Sequence, residues 1–293
     1  MTQPRSLDGP QLMVISAAGF ALMGALVKVA GSAGIPVMQI ILARAVVSLA
    51  ISLAEARRAR VNPLGERRGL LLLRGITGFL ALSCVYYTMV TLPYAEATVL
   101  HYMHPIFTAA FALAFLRERA GLGTLVCIAF SLAGLVAITA PSWQGDVDRL
   151  PPLGIAAGLC AAAGSGLAYT IVRKLAPTEH PAVIVLYFPL VCVPATVLLG
   201  WQEFVWPAPY LWLVLLGVGL FTQIGQVALT RAMQRDSASR NTSLSYVQIV
   251  FAALLGVLFF DELLTVHTLL GGGLIIIGAL LNARWNWLIR RAT

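Results

Sequence analysis

Charge is what this sequence has least of. Only 11% of its 293 residues are charged, while 59% are hydrophobic. Soluble domains carry roughly 25% charged residues, so a water-facing surface cannot be made from this supply, and an integral membrane protein is the class that remains. Cysteine is scarce as well: Cys84, Cys127, Cys160 and Cys192 all fall in apolar runs with no CxxC spacing, which argues against a disulfide framework or a thiolate metal site. Acidic residues are missing from the middle of every apolar run, with Glu96, Glu118, Asp261 and Glu262 all near run ends. Coupling to H⁺ or Na⁺ ordinarily uses buried carboxylates. Their absence points to uniport or exchange, or to protonation at a histidine, and it leaves a dicationic solute without a counter-charge. There is no nucleophile elbow, P-loop or metal quartet, so neither an enzyme nor a cofactor site is expected. The glycines at 271–273 follow no strand and read as helix packing. Nucleic-acid binding would need an interleaved aromatic and basic patch, which the sequence lacks. The N-terminus shows no secretory pattern, since one Arg precedes a long apolar run that others follow.

What is present is a series of apolar runs near the roughly 20 residues that cross a bilayer as a helix. Ten are expected, near 11–30, 36–54, 69–89, 96–116, 121–140, 152–172, 181–200, 210–230, 239–260 and 265–286. The runs are continuous rather than alternating, which excludes barrel strands. The net charge of +8 is explained by basic residues collecting in cytoplasmic loops. With the N-terminus inside, the inner loops receive Arg5, Arg57, Arg58, Arg60, Arg67, Arg68, Arg117, Arg119, Arg173, Lys174, Arg231, Arg235, Arg240, Arg284, Arg290 and Arg291, and the outer loops only Arg149. Both termini are therefore expected in the cytoplasm.

The chain also repeats itself. A shift of 144 residues lays 98–136 on 242–280, pairing Thr98 with Thr242, Tyr102 with Tyr246, Glu118 with Glu262 and Gly134 with Gly278. A shift of 145 lays Gly19 on Gly164, Lys28 on Arg173 and Pro36 on Pro181. Two five-helix halves follow, 1–148 and 149–293. Five is odd, so the second half enters the membrane inverted. The expected fold is thus an all-α integral membrane protein of ten transmembrane helices in two inverted repeats, an arrangement that places a site at the midplane and opens it alternately to either side.

The stretch VYYTMVTLPYAEATVLHYMHPIFTAAFALAFLRERAGLGTLVCIAFSLAGLVAI carries Tyr86-Tyr87, the segment from Ala95 to Thr98, Pro105, Glu118 and Gly134. In that order these resemble the repeat unit of the drug/metabolite transporter superfamily, in its EamA-type branch. The second half keeps Glu262 and Gly278 but departs from the pattern with Gln248-Ile249 in place of His104-Pro105. The resemblance covers essentially the whole chain. It implies a ten-helix carrier of small metabolites with a central cavity, the last helix of each half peripheral, and often an exporter of amino acids or related compounds.

Polar groups inside the runs are the candidate site. Arg44 lies near the middle of the second run, where an Arg costs about 2.5–3.5 kcal/mol on insertion scales. It must face water, a solute or a structural partner. Lys28, near the end of the first run, either snorkels or faces the cavity. In ATVLHYMHPIF (97–107), His101 and His104 lie about 7 and 12 Å down the fourth run and share a face. Pro105 lacks an N–H and clashes with the carbonyl of His101, so a bend, read as a hinge, is expected there. The pair is open to three readings: substrate or proton handling, packing against neighbouring helices, or Zn²⁺, for which two ligands are too few. Tyr86, Tyr87, Tyr102, Tyr169, Gln223, Gln226, Asn241, Tyr246 and Gln248 complete the candidates. Glu118 and Glu262 read as structural groups at tight turns, and no metal site is assigned.

A cavity with Arg44, imidazoles and tyrosines suits a carboxylate-bearing solute. The expected function is a transporter, an exporter of an amino acid or amino-acid-derived compound, opine-type metallophores included, working by alternating access. An exchanger of organic anions such as nucleotide sugars or dicarboxylates is the alternative. A non-transporting scaffold is disfavoured by the repeat and by Arg44. Expected partners are the small-molecule substrate and the lipid bilayer, with no nucleic acid, in a monomer or homodimer of the cytoplasmic (inner) membrane.

Overall fold

Prolines stand at the starts of five of the described helices. A proline lacks the N–H that a first helical turn leaves unpaired, and its fixed φ suits that position. Pro36 and Pro93 stand just before helices, Pro152 and Pro181 lie in first turns, and Pro209 opens another. The structure is a computed structural model and describes residues 9–116, 122–123, 125–126, 129–130, 132–134, 136–137, 150–235, 247–261 and 265–292. Its helices are α1 (Gly9–Ser32), α2 (Val37–Arg58), α3 (Arg68–Thr91), α4 (Tyr94–His101), α5 (His104–Leu116), α6 (Pro152–Leu175), α7 (Pro181–Gly200), α8 (Pro209–Arg235), α9 (Val247–Phe260) and α10 (Val266–Ala292). Further helical positions between 122 and 137 fall between α5 and α6, and among the described residues there is no strand. Among the described residues, seven spans are long and apolar enough to cross a membrane: α1, α2, α3, α4 with α5, α6, α7 and α8. Val247–Phe260 and Val266–Gly278 are apolar but shorter.

The fourth expected run is broken where Pro105 predicts a disturbance. α4 stops at His101, Tyr102 and Met103 form a turn, and α5 resumes at His104. The Tyr102 N–H still reaches the Thr98 carbonyl at 2.9 Å, but Met103 donates to Leu100 in a tighter, three-residue step at 3.2 Å.

Packing repeats between the halves. α1 packs on α8 as α6 packs on α3, α1 meets α9 as α6 meets α5, and α2 meets α8 as α7 meets α3. α2 with α7, and α4 with α9, pair across the centre. Replacing α1 by α6, α2 by α7, α3 by α8 and α4–α5 by α9 returns the same set, so the packing has a two-fold pseudo-symmetry. Small residues make the repeated crossings close, as membrane helices require in the absence of a hydrophobic drive. A Cβ on Gly19 would stand 3.0 Å from the backbone N of Gly225, and one on Gly164 would stand 2.8 Å from the Ala81 Cβ. The Ser16 hydroxyl donates to the Gly225 carbonyl at 2.8 Å beside the first of these crossings.

The outer surface is apolar, with Leu198, Leu213, Leu258, Phe259 and Val266 exposed, as a lipid-facing belt demands. Trp201, Trp206, Tyr210 and Trp212 are exposed around the α7–α8 connection, the placement favoured by interfacial aromatics. α10 lies against α4, and the Gly271 carbonyl faces Gly134 closely enough that a Cβ there would be 2.6 Å away.

Candidate functional site

One face of α3 supplies the wall of a central cavity: Arg74, Gly78, Ala81, Leu82, Val85 and Met89 recur at three- and four-residue spacing. Around it stand Phe20 and Met23 of α1, Arg44 of α2, His101 and Tyr102 at the α4 break, Ser165, Ala168 and Tyr169 of α6, Phe188 of α7, Gln226 of α8 and Gln248 of α9. Both halves contribute, and none of the described residues of α10 lines the cavity. Its volume is about 100 Å³, below the roughly 300–1,000 Å³ of ordinary small-molecule sites.

Arg44 is 4% exposed. Its Nη1 donates to the Tyr86 hydroxyl at 3.4 Å, and that hydroxyl in turn donates to the Met23 sulfur at 3.2 Å. The guanidinium lies 4.8 Å from the Phe188 ring centroid and 5.8 Å from that of Tyr86, within cation–π range. Its Nε has no acceptor among the described residues. Arg74, 5% exposed, approaches the same Phe188 ring at 4.9 Å, and its Nε and Nη1 have no acceptor either. None of the described residues lining the cavity is Asp or Glu.

The histidines belong to a cluster of rings. His104 packs edge-on to Tyr169 at 4.9 Å, tilts against Tyr102 at 5.3 Å and lies 5.5 Å from His101. His101 reaches the cavity, whereas His104 is buried behind it; the Nδ1 of each lacks a partner. The Tyr102 hydroxyl donates to Gln248 Oε1 at 2.5 Å, joining the α4 break to α9. Chain geometry explains this bond: the break turns Tyr102 out of the helical row and toward the counterpart helix of the other half.

The structure therefore brings together Arg44, His101, Tyr102, Tyr169, Gln226 and Gln248, with Tyr86 and His104 directly behind them. Tyr87 is half-buried away from the cavity, its carbonyl taking the Thr91 hydroxyl at 2.8 Å. Gln223 donates to the Ser52 hydroxyl at 3.0 Å along the α2–α8 contact rather than lining the cavity. Pro105 is half-buried one residue into α5. Lys28 donates to the Leu92 carbonyl at 3.1 Å and lies 5.4 Å from the Phe260 ring centroid. Asn241, Tyr246, Glu118 and Glu262 lie outside the described residues. Gly78 and Phe188 escape sequence reasoning, and Arg74, though it falls inside an apolar run, is not among the expected site residues. It stands near the start of its run, and a phenylalanine in an apolar helix carries no signal. The Arg-x-x-x-Gly spacing from Arg74 to Gly78 is the one available clue.

Comparison with known proteins agrees with the two-repeat organisation. The model of the EamA-like transporter family matches residues 8–140 and again 152–284. A pseudopaline exporter of Pseudomonas aeruginosa is 32% identical over 94% of this chain and 96% of its own length. Solute carrier family 35 member G1 of Mus musculus is 28% identical over 77% of this chain and 64% of its own. A solved crystal structure covering 95% of this chain and 98% of its own superposes with a TM-score of 0.68 at 20% identity, a likeness of fold alone.

Proposed function

The chain belongs to the EamA-like transporter family, and from that membership we propose that it exports a small carboxylate-bearing metabolite by alternating access. Membership makes it a multi-pass membrane transporter; the solute, the direction and the mechanism are the proposal. The observation that carries it is Arg44. A permanent cation is buried at the edge of a central cavity whose described lining residues include no carboxylate. An incoming carboxylate would supply the missing charge through a forked, charge-assisted contact. His101, Tyr102, Tyr169, Gln226 and Gln248 offer neutral hydrogen-bonding groups around it. The exporter of pseudopaline at 32% identity supports outward movement.

The proposed architecture is ten transmembrane helices in two inverted halves, 1–148 and 149–293, with both termini cytoplasmic in an inner membrane. The cavity must widen to admit a metabolite. The break before Pro105 and the repeated packing of the halves suit a rocking motion in which α5 swings relative to α4. Asn241 and Tyr246 are proposed to complete the site from the second half.

Purified protein in liposomes tests this directly. Vesicles loaded with labelled amino acids, opine-type compounds, nucleotide sugars or cationic drugs should release a carboxylate-bearing compound. Arg44→Gln should slow that release at least tenfold while leaving the protein folded. Release that needs a nucleotide sugar or organic anion on the opposite side would favour the exchanger instead. Movement of cationic drugs alone would overturn the charge argument, and no flux of any compound would return the protein to a scaffold.

A further inference from the structure

Arg74 is the cation that a single-carboxylate site leaves unused. It is the seventh residue of α3, about 9 Å along the axis from the helix start at 1.5 Å per residue. Helical side chains lean toward the N-terminal end, and a long basic side chain this near a membrane boundary ordinarily snorkels to water. Arg74 does the reverse. Its Nη1 lies 2.5 Å from the place a Cβ on Gly78 would occupy, one turn deeper in the membrane. Only a glycine leaves that place open, and the Phe188 ring packs against the same spot at 2.8 Å. The helix is thus built to let a guanidinium fold inward, toward the cavity it lines.

Arg44 and Arg74 then face one cavity from α2 and α3, both packed on Phe188, both with N–H groups that have no acceptor among the described residues. The two guanidiniums repel. One bound carboxylate would leave a surplus positive charge; two would neutralise the site. We infer that Arg44 and Arg74 form a two-point anion clamp and that the transported solute carries two carboxylates, one held by each guanidinium. The Phe188 ring between these contacts offers an apolar surface to the short carbon linker that joins them. This rests on the carboxylate-carrier reading and narrows it to diacids.

Thermal stabilisation of the detergent-purified full chain is the test, with succinate, glutarate and adipate set against their half-amides and against inorganic phosphate at matched ionic strength. At least one diacid should bind about tenfold or more tightly than its half-amide, the usual worth of one charge-assisted contact. Arg74→Gln should abolish that advantage and leave half-amide binding in place. Gly78→Ala, which displaces the guanidinium but keeps its charge, should reduce it as well. Should Arg74→Gln not fold, Gly78→Ala and Arg74→Lys carry the comparison. Equal binding of diacid and half-amide, or a preference that survives in the Arg74 variants, would overturn the clamp and leave the single-carboxylate reading standing. Phosphate binding as tightly as the best diacid, and needing both arginines, would replace two carboxylates by one dianion. If no carboxylate shifts the melting of the wild-type protein at all, the carrier reading fails together with the clamp.

Discussion

The Tyr102–Gln248 hydrogen bond shows how one residue can join the two halves. Both side chains are buried, at 4% and 3% exposure, and the bond spans 146 positions of sequence. A buried acceptor deprived of its donor costs about 1–3 kcal/mol, whereas removing both partners together can be nearly neutral. Tyr102→Phe should therefore lower the melting temperature of the purified protein, and Tyr102→Phe with Gln248→Leu should recover much of the loss. Additive losses in a double-mutant cycle would deny the bond any energetic role. Residues of this kind were partly legible beforehand. Tyrosine, glutamine and arginine inside apolar runs are visible because burying them is expensive, and that argument finds Arg44, Tyr102 and Gln248. It cannot tell the residues that line the cavity from those that brace it. Tyr86 supports Arg44 and Gln223 binds Ser52, distinctions that depend on helix rotation and not on polarity.

At the scale of elements, proline stands at several helix starts and glycine sets the spacing between helices. α6 lies so close to α5 that a Cβ on Gly166 would be 2.7 Å from the Phe107 Cβ and 2.8 Å from the backbone N of Thr108. Backbone cannot yield as a flexible side chain can, so Gly166→Ala must push α5 away from α6 just beside His104. The expected result is a markedly lower melting temperature and weaker solute stabilisation. Gly273→Ala is the control. None of the described residues lies within 4 Å of its hypothetical Cβ, and alanine is the better helix former by about 1 kcal/mol, so this variant should be as stable as the wild type or more so. Equal melting of the two variants would mean that the α5–α6 crossing tolerates separation. Apolar run length and Pro105 made the helices and the α4–α5 break legible in the sequence. Glycine was legible only as a type. Of the three glycines at 271–273, the Gly271 backbone faces Gly134 while a Cβ on Gly273 would meet none of the described residues, and spacing alone does not sort them.

The whole molecule is closed differently at its two ends. At the end where α3 begins, Glu179 in the α6–α7 turn accepts hydrogen bonds through Oε1 from the backbone N–H groups of Glu66 and Arg67, at 2.8 and 2.6 Å. A carboxylate there satisfies unpaired first-turn donors and complements the helix dipole. Gly65, with φ +61, sits so near that a Cβ would be 2.7 Å from the Glu179 Oε2. The Tyr187 hydroxyl adds a bond to the Leu64 carbonyl at 2.7 Å. The shift that relates the opening helices of the halves puts Gly34 opposite Glu179, and Gly34, at φ +83, has no side chain to make such a latch. The other end is held instead by the Gln39 side chain, which exchanges two hydrogen bonds with the Val205 backbone. Beside Glu179 opens a cleft of about 860 Å³ reaching Glu55 and Arg231. The α2–α8 contact carries the Ser52–Gln223 bond and the buried Ser48 Oγ and Gln223 Oε1, which have no partner among the described residues. Buried polar groups of this kind are the part of an interface most ready to take up water. If the Glu179 bonds hold this end shut, losing a charge-assisted contact worth about 1.5–3 kcal/mol should raise the open population roughly ten- to a hundredfold. The reporter is Ser48→Cys in a chain freed of its native cysteines. A hydrophilic thiol reagent applied from the Glu179 side should modify it at least tenfold faster once Glu179→Gln is added, and modification from the opposite side should not accelerate. An unchanged rate in a folded Glu179→Gln protein would reduce the contact to a helix cap. Faster modification from both sides would mean that the variant loosens the bundle rather than releasing one end of it.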